Sequence, residues 1–193
     1  IGIVDTLATA RKQGTVTTDA RLEAVAAKAG IELPPAEASA ARATEPEETT
    51  SRARSLALMQ LYLHQREAGE IVTRTPDELT NDRFGLQRSR VRVQAEKAEP
   101  TKGNPGIYTA RSGLRPGMEV VVTDDVAVDH DEIVQAILDA DMVYTEKLSR
   151  ETSLVISNIT GPASQLRGKA MHAERKNIPL LTDDEFFTIL RNQ

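Results

Sequence analysis

Apolar positions along the chain switch from a helical to a strand-like period. Asp5 and Thr6 precede Leu7, Ala8, Ala10 and Arg11, a capped helix start. Asp19 leads into Leu22, Val25, Ala26 and Ala29, the stripe of an amphipathic helix, and Gly30 supplies its stop. Residues 34–48, with Pro34-Pro35 and then Glu45, Glu47 and Glu48, predict a loop or frayed helix. Thr49-Thr50-Ser51 offer caps for a longer helix carrying Leu56, Leu58, Met59, Leu61, Tyr62 and Leu63, an apolar surface too wide to stand alone. Three helices in fewer than about 70 residues make a thin core, so this segment is expected to be part of a larger body.

Further on, Thr75-Pro76-Asp77-Glu78 predicts a short helix ended by Gly85, and Arg90-Val91-Arg92-Val93 alternates like an extended edge. From residue 117 the pattern becomes that of a small α/β domain. Met118 to Thr123, Met142 to Tyr144, Ser153 to Ser157 and Ile178 to Leu181 predict four short strands. Asp129 and Glu132 have capping-box spacing before Ile133, Val134, Ile137 and Leu138. Gly168-Lys169-Ala170 lies early in a helix that ends at Arg175-Lys176-Asn177. Thr182 to Glu185 form a second capping box, before Phe186, Ile189 and Leu190. The order is βαββαβα, which fixes an α/β fold class. The domains expected are a helical part over 1–70, a connector over 71–116 and an α/β domain over 117–193.

Composition narrows the chemistry. The chain has 193 residues, 39% hydrophobic and 27% charged, enough for packed cores. Cysteine is absent, which removes disulfides, thiolate catalysis and cysteine zinc sites. Aromatics are 3% with no Trp, an argument against an aromatic nucleic-acid platform. Apolar runs such as Val120 to Val122 fall far short of the roughly 20 residues of a membrane span. No signal peptide opens the sequence, and a cytoplasmic location, with nucleoid association possible in principle, is expected. The chain starts at Ile1, so an upstream part is expected.

The net charge of −5 is unevenly spread. Residues 1–82 hold 9 basic and 13 acidic side chains, 83–115 hold 8 and 2, and 117–193 hold 7 and 14. A basic connector therefore sits between two acidic bodies. With Pro100, Gly103, Pro105, Gly106 and Gly113 it reads mostly as linker. Arg88, Arg90, Arg92 and Lys97 are its candidate DNA contacts, since an arginine cluster can neutralise phosphates. A solvated tether, or a clamp onto acidic neighbours, are the other two readings.

Two resemblances bear on function. The run Val4 to Arg11, Arg21 to Ala26, Gly30-Ile31 and Arg52 to Ala57 resembles the last third of DnaQ-like 3′–5′ exonucleases, the epsilon-subunit family of DNA polymerase III. That family places a general-base His and, a little further on, a metal-holding Asp near the start of its last helix, and uses Mg or Mn. Glu47 and Arg52 occupy the best-aligned positions here, and an arginine would repel a metal. The family's earlier acids would lie upstream of Ile1. The resemblance therefore implies no catalytic residues and no cofactor in this chain, although the parent family is enzymatic.

Residues Gly117 to Thr123, Thr152 to Ile156, Gly168 to Ala170 with Ala173, Asn177 to Pro179 and Asp184 to Phe187 are similar to a bacterial-type BRCT domain. This implies a four-stranded parallel sheet with three helices, preceded by a helical exonuclease-type remnant and a basic connector. It also implies DNA replication or repair proteins as partners. Phosphate-binding BRCT domains use a hydroxyl after the first strand, the following Gly amide and a helix-starting Lys. Thr123, Gly168 and Lys169 match as candidates, while Asp124 replaces the Gly amide position. Asp124, Asp125, Asp129, Asp131 and Glu132 crowd that end and would oppose a phosphate; a basic protein surface suits it better. They lack the spacing of a calcium loop. His64, His130 and His172 form no ligand set, Ser164 has no triad partners, and Tyr144, Lys147 and Arg150 are expected at the surface.

Overall fold

A computed structural model describes residues 1–15, 19–33, 43–82, 85, 87–159, 161–162 and 164–192. They fall into two compact units, Ile1–Arg74 and Thr75–Gln193. Among the described residues no helix is long and apolar enough to cross a membrane.

In the first unit, β1 (Ile3–Val4) pairs antiparallel with β2 (Thr73–Arg74), so its two ends meet. Among the described residues three helices lie between: α1 (Thr6–Lys12), α2 (Leu22–Lys28) and α3 (Glu47–Ala68). Asp5 caps α1 by accepting from the Ala8 N–H at 2.9 Å, as its position predicts. Ala10, Val25 and Leu61 form the small core, with Leu7, Leu22, Ala29 and Ile31 packed on it. Buried Gln65 ties α3 to α1 by donating to the Thr6 carbonyl at 2.8 Å. Of the loop or frayed helix expected over 34–48, residues 34–42 lie outside the described residues, and α3 starts at Glu47.

The second unit begins inside the stretch expected to be a connector. At its start the Glu78 carboxylate accepts from the Thr75 hydroxyl at 2.9 Å. The helix predicted to follow is only one 3₁₀ turn, Pro76–Glu78. Leu79–Asn81 (β3) instead pairs antiparallel with Gln87–Ser89 (β4), and that pairing takes up the backbone groups a helix would have used. The extended segment predicted at Arg90 to Val93 is also corrected. It is helix α4, Arg90–Lys97. Ser89 caps it by accepting from the Arg92 N–H at 3.2 Å, and Val93 and Ala95 are buried.

The rest of the connector is held against the same unit. Tyr108 is buried, and its N–H donates to the Ser153 carbonyl at 3.0 Å. Asn104 accepts from the Ser153 hydroxyl at 3.0 Å. The expected boundary at 116 therefore has no counterpart in the two-unit division, which falls at Arg74/Thr75.

The α/β elements follow: β5 (Glu119–Val122), α5 (His130–Asp139), β6 (Val143–Thr145), β7 (Thr152–Ile156), α6 (Gly168–Arg175), β8 (Leu180–Leu181) and α7 (Asp183–Arg191). The four strands form one parallel sheet in the order β6-β5-β7-β8. Val120 and Val122 face a core shared with Ile133, Val134 and Ile137 of α5 and Phe186 of α7. Val121 and Val155 face the other way, onto Ala173 and Ile178. Burial on both faces explains why β5 and β7 read as continuous apolar runs. Asp141, after α5, takes a left-handed φ of 55°, the backbone role a glycine would usually fill.

Gly117, just before β5, has φ +85° and sits so close to the Gly103 carbonyl that a Cβ would overlap backbone. Gly117→Ala is expected to cost about 2 kcal/mol, because both the conformation and the contact resist relaxation. Urea unfolding followed by circular dichroism measures it; an unchanged midpoint would contradict this packing.

Candidate functional site

The carboxyl ends of the parallel strands are where open α/β sheets build their sites. At the end of β5, the Thr123 N–H and hydroxyl both donate to the Ile156 carbonyl, each at 3.0 Å. Gly168 opens α6 with φ +55° and open space around its Cα. One residue on, Lys169 sends its Nζ to 3.3 Å from the Val122 carbonyl. Thr123, Gly168 and Lys169 thus lie around one end of the sheet.

A carboxylate lies beside this end of the sheet. Glu146 follows β6, and its Oε2 lies 3.7 Å from Lys169 Nζ. Its Oε1 accepts from Arg92 Nε at 2.9 Å, Arg92 Nη2 at 2.7 Å and the Tyr144 hydroxyl at 2.6 Å. Because the Tyr144 proton goes to Glu146, the neighbouring His130 Nε2, 3.2 Å away, is the donor in that contact. A chain of side chains therefore runs His130–Tyr144–Glu146–Arg92, with Lys169 beside it.

Its electrostatics follow from burial and pairing. Burial alone would push Glu146 up, but Arg92, the Tyr144 hydrogen bond and Lys169 outweigh it and hold the carboxyl below its ordinary value. Burial also opposes the Arg92 charge, yet Tyr144 and Glu146 carry the net shift upward. Tyr144 is pushed well up, first by burial and then by the Glu146 carboxylate. At neutral pH the group is a closed ion pair with a neutral tyrosine.

The loop after β5 is pinned by two buried carboxylates. Asp125 accepts from the Ser157 hydroxyl at 2.9 Å and the Ile159 N–H at 2.8 Å. Asp183, at the start of α7, accepts from the Ala127 N–H at 2.7 Å, the Val128 N–H at 3.0 Å and Asn158 Nδ2 at 3.0 Å. Asp129 caps α5 through the Asp131 N–H at 2.9 Å, and Asp131 accepts from the Ser89 hydroxyl. Asp125, Asp129 and Asp131 thus bond within the fold, and Asp124 and Glu132 lie at exposed positions.

The four connector candidates separate. Arg92 is 13% exposed and committed to Glu146, and Arg88 is 3.4 Å from Asp82. Lys102 pairs with Asp141 at 2.9 Å. Arg90 and Lys97 are exposed on α4. Of the alternatives for the basic stretch, clamping onto acidic neighbours describes Arg92, Arg88 and Lys102.

Tyr144, expected at the surface, is instead 1% exposed, because the middle of β6 faces the α5 core. Lys147 and Arg150 are exposed, as are His64 and His172; His130 is buried. In the first unit Glu47 accepts from Ser51 at 2.9 Å, and Arg52 is exposed in the next turn. The positive charge of Arg52 would repel a divalent cation. Comparisons with protein-family models, curated proteins and solved structures return no match for this chain.

Proposed function

We propose that the chain is a non-catalytic interaction module of DNA replication or repair. Its second unit is a BRCT-like domain that docks a partner protein. Its first unit is the C-terminal section of a DnaQ-like, polymerase III epsilon-type 3′–5′ exonuclease, and the module orients such an exonuclease. What carries this reading is the four-stranded parallel sheet with helices on both faces, the arrangement the BRCT resemblance implies.

The acidic balance of residues 117–193 favours a partner with a basic surface. The test is binding of the full chain to purified replication and repair proteins at low and moderate salt. At least one complex that weakens with salt is expected; binding to none of them would remove the proposal. The same reading predicts no cleavage of single-stranded DNA by this chain in Mg or Mn, checked by gel assay. Cleavage that survives repurification would contradict it.

A second reading has an observation in its favour. Thr123, Gly168 and Lys169 gather around one end of the sheet, as a 5′-phosphate or DNA-end binder would need. Against it, Glu146 already faces Lys169, and the Thr123 proton is given to Ile156. A phosphate entering there would meet a carboxylate and would have to compete for the lysine.

A further inference from the structure

Helix α3 is apolar on two opposite sides. Ala57, Leu61 and Gln65 are buried on the side that packs in the first unit. Leu56, Met59 and Leu63 lie on the other side and are 48%, 53% and 37% exposed. At about 100° per residue these three positions form one stripe, centred opposite the buried one. Arg52 lies four residues before Leu56 and Glu67 four residues after Leu63, on the same stripe, and both are exposed. Four of the seven large hydrophobics exposed among the described residues belong to this helix.

The stripe is also complementary to itself. Arg52 with Glu67, and Leu56 with Leu63, lie at equal distances either side of a point between Met59 and Gln60, and the outer pair is opposite in charge. Two copies laid antiparallel about a two-fold axis set Leu56 against Leu63 of the other copy. They also set Arg52 against Glu67 twice, once at each end. A parallel pair would instead stack Arg52 on Arg52 and Glu67 on Glu67, which repels. Arg66, the nearby cation, lies over the Tyr62 ring at 5.7 Å and so has a partner of its own.

We propose that α3 pairs antiparallel with α3 of a second copy of this chain, through Leu56, Met59 and Leu63, with Arg52 and Glu67 setting the direction. The apolar residues supply the affinity; the rim charges supply orientation and specificity.

The test is sedimentation equilibrium of the full chain over about 1–100 µM, with circular dichroism to show that each variant keeps its helix content. The wild type is expected to form dimers. Met59→Glu should weaken the dimer at least about tenfold, since it buries a charge at the seam. Arg52→Glu should weaken it about threefold or more, and adding Glu67→Arg to the same chain should restore wild-type association within about twofold. The pairing is overturned by a wild type that stays monomeric throughout, or by a dimer indifferent to Met59→Glu. A double charge exchange no better than Arg52→Glu alone overturns it too. A variant that loses helix content is replaced by Leu63→Gln, for which the same weakening is expected and an unchanged dimer again overturns the pairing.

Discussion

Arg92→Ala is expected to lower the stability of the second unit by about 3–4 kcal/mol. The guanidinium is 13% exposed and meets Glu146, itself 17% exposed, through two nitrogens. Removing it leaves a carboxylate facing Tyr144 with only the more distant Lys169 as a cation. A buried charge that loses its partner costs more than the intact pair contributes, and this difference sets the size of the effect. Arg92→Lys should recover part of the loss, because it restores charge but not the two-nitrogen contact.

The pH dependence has a definite sign. Glu146 is held below its ordinary value in the folded protein. Its contribution is therefore complete above the unfolded carboxyl range and disappears as pH falls through the lower, folded value. In Arg92→Ala the largest lowering influence is gone while burial still pushes the carboxyl up. The variant should therefore lose less additional stability on acidification than the wild type does. Urea midpoints at neutral pH and in the acid range test this. Parallel pH curves for the two proteins would show that the pair does not tune Glu146.

Asp183→Ala is expected to have an effect of similar size, about 3 kcal/mol. Asp183 is 3% exposed, and one of its oxygens accepts the Ala127 and Val128 N–H groups and Asn158 Nδ2. Its own N–H donates to Asn158 Oδ1 at 3.0 Å. Alanine leaves the Ala127 and Val128 N–H groups of the loop after β5 without their carboxylate acceptor. Asp183→Asn keeps one acceptor oxygen and should cost less, about 1–2 kcal/mol, because it forfeits the charge but not the whole contact. Asp184→Ala, at an exposed neighbouring position, is the control and should change little. Equal midpoints for Asp183→Ala and Asp184→Ala would show that the loop is not held by this carboxylate.

The parts of the fold legible in the sequence are those written in local patterns. Val120 to Val122 are apolar and β-branched in one run, and Asp129 and Thr182 carry cap chemistry at the residues that do cap α5 and α7. The segment Arg90 to Val93 was open to misreading because four alternating residues fit a strand as well as a helix. Ser89 as cap and the burial of Val93 and Ala95 decide it. In the site, Lys169 and Thr123 are the residues to which the BRCT resemblance points. It does not point to Glu146, Tyr144 or Asp183. Glu146 matters because of Arg92, 54 residues earlier, and Asp183 because of Ala127, 56 residues earlier. No local pattern encodes such partners. A tyrosine between Val143 and Thr145 reads equally well inside or outside a short strand until the helix above it is known.

The most direct measurement is the affinity of the full chain for a DNA duplex with and without a 5′-phosphate, at two salt concentrations. If the sheet end is a protein-docking surface whose lysine faces the Glu146 carboxylate, the two duplexes are expected to bind equally, within about twofold, at both salts. A preference of about tenfold or more for the phosphorylated end, lost in Lys169→Ala, would contradict the account and establish a phosphate pocket instead.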